Sequence, residues 1–242
     1  MKNHLLEQLD LAAIHAHLKA ESKEPWTWLF YGDSITHGAT HTHGWRSFPE
    51  IFAERIRWEL QHRLDVVINT GISGNTSDDL LREYDWRCRH WQPDAVFLLI
   101  GTNDIVKIDN ICLYRQNLKE LVHRLREDHA IPVIQTYPPV QKVPDNDAYL
   151  KRLREMPAYN DVIREVAAEE SVVLVDHDRA WRPFASDPAA LAELLGEPIH
   201  PGALGHLEMA GEIFRTFGIY DPAAPGNNPA GTPMSIAPFY EK

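Results

Sequence analysis

Ser34 stands in LFYGDSITHG, residues 29–38, where an apolar run breaks at once into a glycine, an acid and a serine. Leu29, Phe30 and Tyr31 read as the end of a buried strand, and Gly32 punctuates it. A serine just past such a break sits on a turn at the carboxyl edge of a sheet, where ligands and catalytic groups collect in open α/β folds. Its hydroxyl is either a helix cap or a nucleophile, and as a nucleophile it needs a base to take its proton. His200, in the Pro-bracketed loop EPIHPGALGH, is the candidate base, and Glu197 lies three residues upstream. A tight loop could fold that carboxylate back onto the imidazole, fixing its tautomer and stabilising the imidazolium. A developing oxyanion needs donors nearby. The candidates are the backbone N–H of Ser34, the backbone N–H of Gly74 in NTGISGNTSDD, and the side-chain amide of Asn103 in GTND. Acyl transfer through the serine is the chemistry such a set would do.

These residues are far apart in sequence, so the fold must bring them to one edge. Five β-rich runs are expected at 26–31, 65–69, 95–100, 132–137 and 172–176. The third and fifth are continuously apolar, as strands covered on both faces must be. Helical patterns lie between them at 45–62, 77–90, 111–129 and 150–170, followed by a helical piece at 189–195 and a last helix at 203–217. Strands alternating with helices of this length imply right-handed crossovers and a parallel sheet. The expected fold class is α/β, a three-layer α/β/α sandwich on a central five-stranded parallel sheet. Every polar block named above then falls at the carboxyl end of a strand or in a loop that can reach it.

A chain of 242 residues suits one domain with a sizeable core, expected over residues 1–220. The formal charge of -11 with no basic stripe argues against nucleic-acid and anionic-membrane partners. Two cysteines, Cys88 and Cys112, exclude a disulfide framework and match no metal motif. The first twenty residues lack the apolar region of a signal peptide and read as an amphipathic helix with Leu5, Leu9 and Ala12 or Ala13 on one face. No stretch reaches the roughly 20 apolar residues of a membrane span. A cytoplasmic location is the expectation. Residues 221–242 are rich in Pro, Gly, Asn and Ala and should form an irregular tail. Its Phe239 and Tyr240 could dock on a neighbouring subunit or on the chain's own body, so a homo-oligomer is one possibility.

The four blocks, in this order, resemble the GDSL family and its SGNH hydrolase branch, named for Ser, Gly, Asn and His. Here those fall on Ser34, Gly74, Asn103 and His200, and the resemblance spans about residues 27–215. It implies a flavodoxin-like SGNH hydrolase fold and ester hydrolysis through a covalent acyl-enzyme, with no metal and no cofactor. NTGISGNTSDDL and HPGALGHLEMA look like the corresponding blocks of bacterial xylan acetyl esterases, which implies a small-molecule or oligosaccharide ester as substrate. One position departs from the family, which usually has Asp three residues before the histidine, where this chain has Glu197. The longer side chain requires the loop to shift or the hydrogen bond to lengthen.

Neighbouring polar residues have plainer readings. Asp33 is expected to hydrogen-bond its turn, Asp104 to cap the following one, and His206 to be a satisfied histidine inside the last helix. Asp176, His177 and Asp178 read as solvated or capping groups. His37, His41 and His43 are expected at the pocket mouth rather than on a metal, since their loop holds no cysteine or carboxylate. Trp45 and Trp181 fit either a sugar platform or the pocket wall and core. Two rival functions remain at this point: a lysophospholipase or thioesterase on longer acyl chains, and a non-catalytic sugar-binding member of the fold.

Overall fold

A computed structural model describes residues 5–19 and 24–227 of the chain. Five strands form one parallel sheet: β1 (Thr27–Gly32), β2 (Val66–Asn69), β3 (Ala95–Leu99), β4 (Ile131–Gln135) and β5 (Val173–Val175). Their order is β2-β1-β3-β4-β5. Each lies within a residue or two of its expected span. The order reverses direction between β1 and β3, which opens a crevice at their carboxyl ends.

Helices α1 (Leu5–Lys19), α3 (Phe48–Glu54), α4 (Ser77–Arg87), α6 (Ile111–Glu127), α7 (Asp147–Glu170) and α10 (Ala203–Thr216) flank the sheet. Short helices α2 (Ser34–His37) and α5 (Asp104–Lys107) start directly after β1 and β3. The segment after β5 folds as α8 (His177–Ala185), α9 (Pro188–Leu194) and a small hairpin of β6 (Leu195–Glu197) with β7 (His200–Pro201). None of α2, α5, α8 or the hairpin has a sequence period long enough to announce it.

Strand β3 is buried throughout, as its apolar run predicts, while β5, the other run expected to be covered on both faces, is an edge strand with Leu174 half-buried; β1 is buried from Trp28 onward. Alternate side chains of β1 serve opposite layers. Trp28 and Phe30 pack with Phe52 of α3, and Phe30 stacks on Phe97 of β3 at 4.3 Å with rings 4° apart. Tyr31 points the other way and donates to the Leu80 carbonyl of α4 at 2.5 Å. Truncating a ring such as Phe97 to Ala would cost about 3–5 kcal/mol by the usual cavity penalty.

The first helix forms as expected but presents the opposite face. Leu5, Leu9, Ala12 and Ala13 are exposed, while Asp10, Ile14, His17 and Leu18 are buried. Polar partners account for the reversal. Asp10 takes a two-pronged contact from Arg126, and His17 Nε2 meets Asp65 Oδ2 at 2.8 Å. Asp65 also accepts from Trp28 Nε1 at 2.7 Å and from the Trp26 amide at 3.1 Å. Paired and hydrogen-bonded polar groups can be buried at little cost, so hydrophobicity alone picks the wrong stripe.

The helix expected over 45–62 is shorter, being α3 continued by one π-helical turn, Arg55–Glu59. No helix among the described residues is long and apolar enough to cross a membrane. The tail is described as far as Asn227, where Pro225–Asn227 forms a 3-10 turn and Gly226 donates to Glu59. Phe239 and Tyr240 lie outside the described residues.

Candidate active site

The crevice between β1 and β3 carries the serine. Strand β1 ends at Gly32, where any Cβ would come 2.4 Å from the Leu99 carbonyl and from Thr36 Oγ1, so only glycine lets the strand and the turn pack this closely. Asp33 caps α2, its Oδ1 accepting from the Ile35 amide at 3.0 Å. The cap of this helix is therefore Asp33 and not Ser34, which starts the helix and leaves its Oγ free for another partner. That partner is His200: Ser34 Oγ lies 2.8 Å from Nε2.

The hairpin supplies the second half of the relay. In its antiparallel register Glu197 pairs with His200. Cross-strand neighbours place side chains together on one face, and Glu197 Oε2 lies 3.2 Å from His200 Nδ1. A proton on Nδ1 then donates to the carboxylate and leaves the Nε2 lone pair for the serine hydroxyl. Burial, followed by the charge of His41, pushes the His200 imidazole down to about 4, with Glu197 opposing them. Burial also raises Glu197, but His41 and His200 outweigh it and hold the carboxyl below its ordinary value. The resting pair is a neutral base next to an ionised orienter, and the longer carboxylate is accommodated by a bond at the long end of the hydrogen-bond range.

The two other loops meet beside the serine turn. Gly74 sits at φ +85°, a left-handed position that disfavours any side chain. Asn103 Nδ2 donates to the Asn75 carbonyl at 2.9 Å, tying the GTND turn to the loop that carries Gly74. One amide hydrogen of Asn103 is used there, and the second is available to an oxyanion. Arg152 of α7 braces this turn, donating from Nε to the Thr102 carbonyl at 3.2 Å and from Nη2 to Asn103 Oδ1 at 3.5 Å.

Residues 30–207 match the GDSL-like lipase/acylhydrolase family. The chain belongs to that family. It is 29% identical over 214 residues to an acetylxylan esterase of Geobacillus stearothermophilus, covering 78% of this chain and 93% of the relative. The crystal structure of Axe2, an acetylxylan esterase from the same organism, superposes with a TM-score of 0.65 at 22% identity, over 81% of this chain and 97% of that one. An α/β hydrolase from the metagenome of Lake Arreo, Spain, gives 0.67 at 23% identity, over 81% and 96% of the two chains. These structures share the SGNH hydrolase fold with the present one. Family membership puts the chain among the carboxylic ester hydrolases.

The remaining polar residues of this GDSL-family chain sort clearly. Asp33 Oδ2 accepts from Tyr137 Oη at 2.6 Å, and its full burial pushes the carboxyl up to about 7. Asp104 does not cap the turn after it, contrary to expectation, but accepts from the Ser77 amide at 3.1 Å and from the Ser77 hydroxyl, securing the start of α4. His206 accepts at Nδ1 from the Phe48 amide at 3.2 Å and is pushed down to about 3 by burial. Asp176 caps α8 and pairs with Arg164, and His177 is buried against Gln135 Oε1 at 3.0 Å. Trp181 is fully buried, so of its two readings the core one holds, while Trp45 is 51% exposed.

Of the three loop histidines, His37 is exposed with Nδ1 3.1 Å from Ser73 Oγ. His41 behaves otherwise and joins Glu197 and His200, the three offering ligand atoms within 4.8 Å of one another. The hydrogen bonds of the relay already occupy the oxygen and both nitrogens that Glu197 and His200 share with Ser34. A second such group, His17, His62 and Asp65, lies under α1 and away from the serine. Sequence reasoning placed His41 only at the mouth and did not anticipate Arg152, which sits within a long helix with no motif around it.

Proposed function

We propose that this protein is a serine esterase that removes short acyl groups, acetyl above all, from a carbohydrate. The observation that carries the reading is the relay from Ser34 Oγ through His200 to Glu197, built by the turn after β1 and by the β6–β7 hairpin. Ser34 attacks the ester carbonyl while His200 takes its proton. The Ser34 and Gly74 amides and the Asn103 side chain hold the oxyanion, and His200 returns the proton to the leaving alcohol. Water, activated by the same imidazole, then releases the acid and restores the serine.

Acetyl transfer from a sugar is supported by the acetylxylan esterase relative and by the loops around the serine. His37 and Ser73 bond to each other and Lys107 bonds to the Gly74 carbonyl, and all three are polar or charged. Polar groups on these loops suit a hydroxyl-rich leaving group. Trp45, exposed in the loop after α2, offers an apolar face for a sugar ring. The test is hydrolysis of p-nitrophenyl esters from acetate to octanoate, with Ser34→Ala beside the wild type. Turnover steepest on acetate and abolished in the variant supports the reading. A preference for octanoate moves the function to lipids or thioesters, and full activity in Ser34→Ala removes the serine mechanism.

A further inference from the structure

Two imidazoles share one carboxylate at this site. The His41 ring lies flat on that of His200, centroids 3.4 Å apart and planes 12° apart. Its Nδ1 stands 3.1 Å from Glu197 Oε1, while Glu197 Oε2 serves His200. The His41 contact has the distance of an ion pair without the alignment of a hydrogen bond, and that Nδ1 is buried with no other partner. The Glu197 side chain, by contrast, is 38% exposed.

A glutamate with that much exposure has three rotatable bonds and water to reach for, so its carboxylate would leave the imidazole part of the time. A second contact on the far oxygen removes that freedom. The stacked ring also closes one face of His200 and limits the tilt of its imidazole. We propose that His41 is a positioning residue: it clamps Glu197 by the oxygen that His200 does not use and backs the His200 ring, so that Nε2 stays aimed at Ser34. In this role His41 acts through its two neighbours, Glu197 and His200.

This inference rests on the serine-esterase reading, and the two fail separately. Ser34→Ala tests that reading by turnover alone. The clamp is tested by His41→Ala, His41→Phe and His41→Asn, each confirmed folded by thermal unfolding. Phe keeps a stacked ring without a nitrogen, and the Asn amide can occupy the place of the imidazole Nδ1. A misplacement on the scale of an ångström costs about 10- to 100-fold, so Ala and Phe should lower kcat by that factor with KM little changed, and Asn should recover most of it. The loss should vanish in a Glu197→Ala background, because no carboxylate is left to hold.

A readout independent of turnover is the low-field proton resonance of His200 Nδ1–H. It should be sharp in the wild type and in His41→Asn, and broadened by solvent exchange in His41→Ala and His41→Phe. An unchanged resonance and kcat within about twofold of wild type in His41→Phe would overturn the clamp, being well short of the expected positional loss. So would a His41→Ala loss of the same size with and without Glu197.

Discussion

Glu197 and His200 are cross-strand partners in a hairpin only a few residues long, with Oε2 3.2 Å from Nδ1. Three residues of sequence thus become one face of a turn, and the imidazole is fixed by the same element that delivers it to Ser34. Glu197→Gln keeps the shape and removes the charge that stabilises the imidazolium. Losing a triad acid typically costs about 10³- to 10⁴-fold, and the same order is expected here in kcat, with KM close to wild type. A loss under about tenfold in single-turnover assays would mean that the carboxylate contributes little to the base.

The acid limb of the pH profile should lie unusually low. On the proposed mechanism His200 must be neutral to accept the serine proton, and burial with His41 holds it down to about 4 against an ordinary 6.5, although Glu197 opposes them. The free-enzyme profile, kcat/KM for a neutral acetate ester, should therefore stay level through weakly acidic pH and fall around that lower value. Arg152 also disfavours protonation of His200, so removing its charge should move the limb upward. A midpoint at the ordinary imidazole value in the wild type would show the ring to be freely solvated.

Asn103 is held at both ends of its carboxamide, by Asn75 and by Arg152. On the proposed mechanism, a group held in this way is preorganised for the oxyanion. Asn103→Ala should lower kcat by about 10²- to 10³-fold, the usual cost of one oxyanion donor, with a much smaller change in KM. A rise in KM with kcat intact would instead make it a substrate-binding residue.

The residues of the relay were readable in sequence because each sits beside strong punctuation. An apolar run ending in Gly32, the GTND turn after β3 and the Pro-bracketed His200 all mark strand ends or rigid loops. Strand β3 was readable for a related reason, since burial on both faces leaves no room for polar residues. What sequence concealed were contacts between elements. The buried face of α1 is chosen by Arg126 and Asp65, which lie 116 and 48 residues from their partners Asp10 and His17. His41 gains its place only when the hairpin folds under it, and Arg152 only when α7 packs against the Asn103 turn. Trp181 lies next to the active-edge loops in sequence, yet the packing of Gly205 against it puts it in the core.

Asp33 makes a prediction about stability rather than rate. Its carboxyl is fully buried, and that burial outweighs the Tyr137 and Ile35 hydrogen bonds to push it up to about 7 from an ordinary 3.8. Between roughly pH 4 and pH 7 the native chain keeps a proton that the unfolded chain has released, so the contribution of this acid to stability falls as pH rises through that window. Asp33→Asn is close in shape and cannot ionise, which removes the dependence at this position. The unfolding midpoint of the variant relative to wild type should therefore increase on going from about pH 5 to about pH 8. Denaturant titrations of both proteins at the two pH values measure that difference. A difference that stays flat or shrinks would mean that Tyr137 holds Asp33 as the anion throughout, with the serine turn built on a buried charge instead of a buried acid.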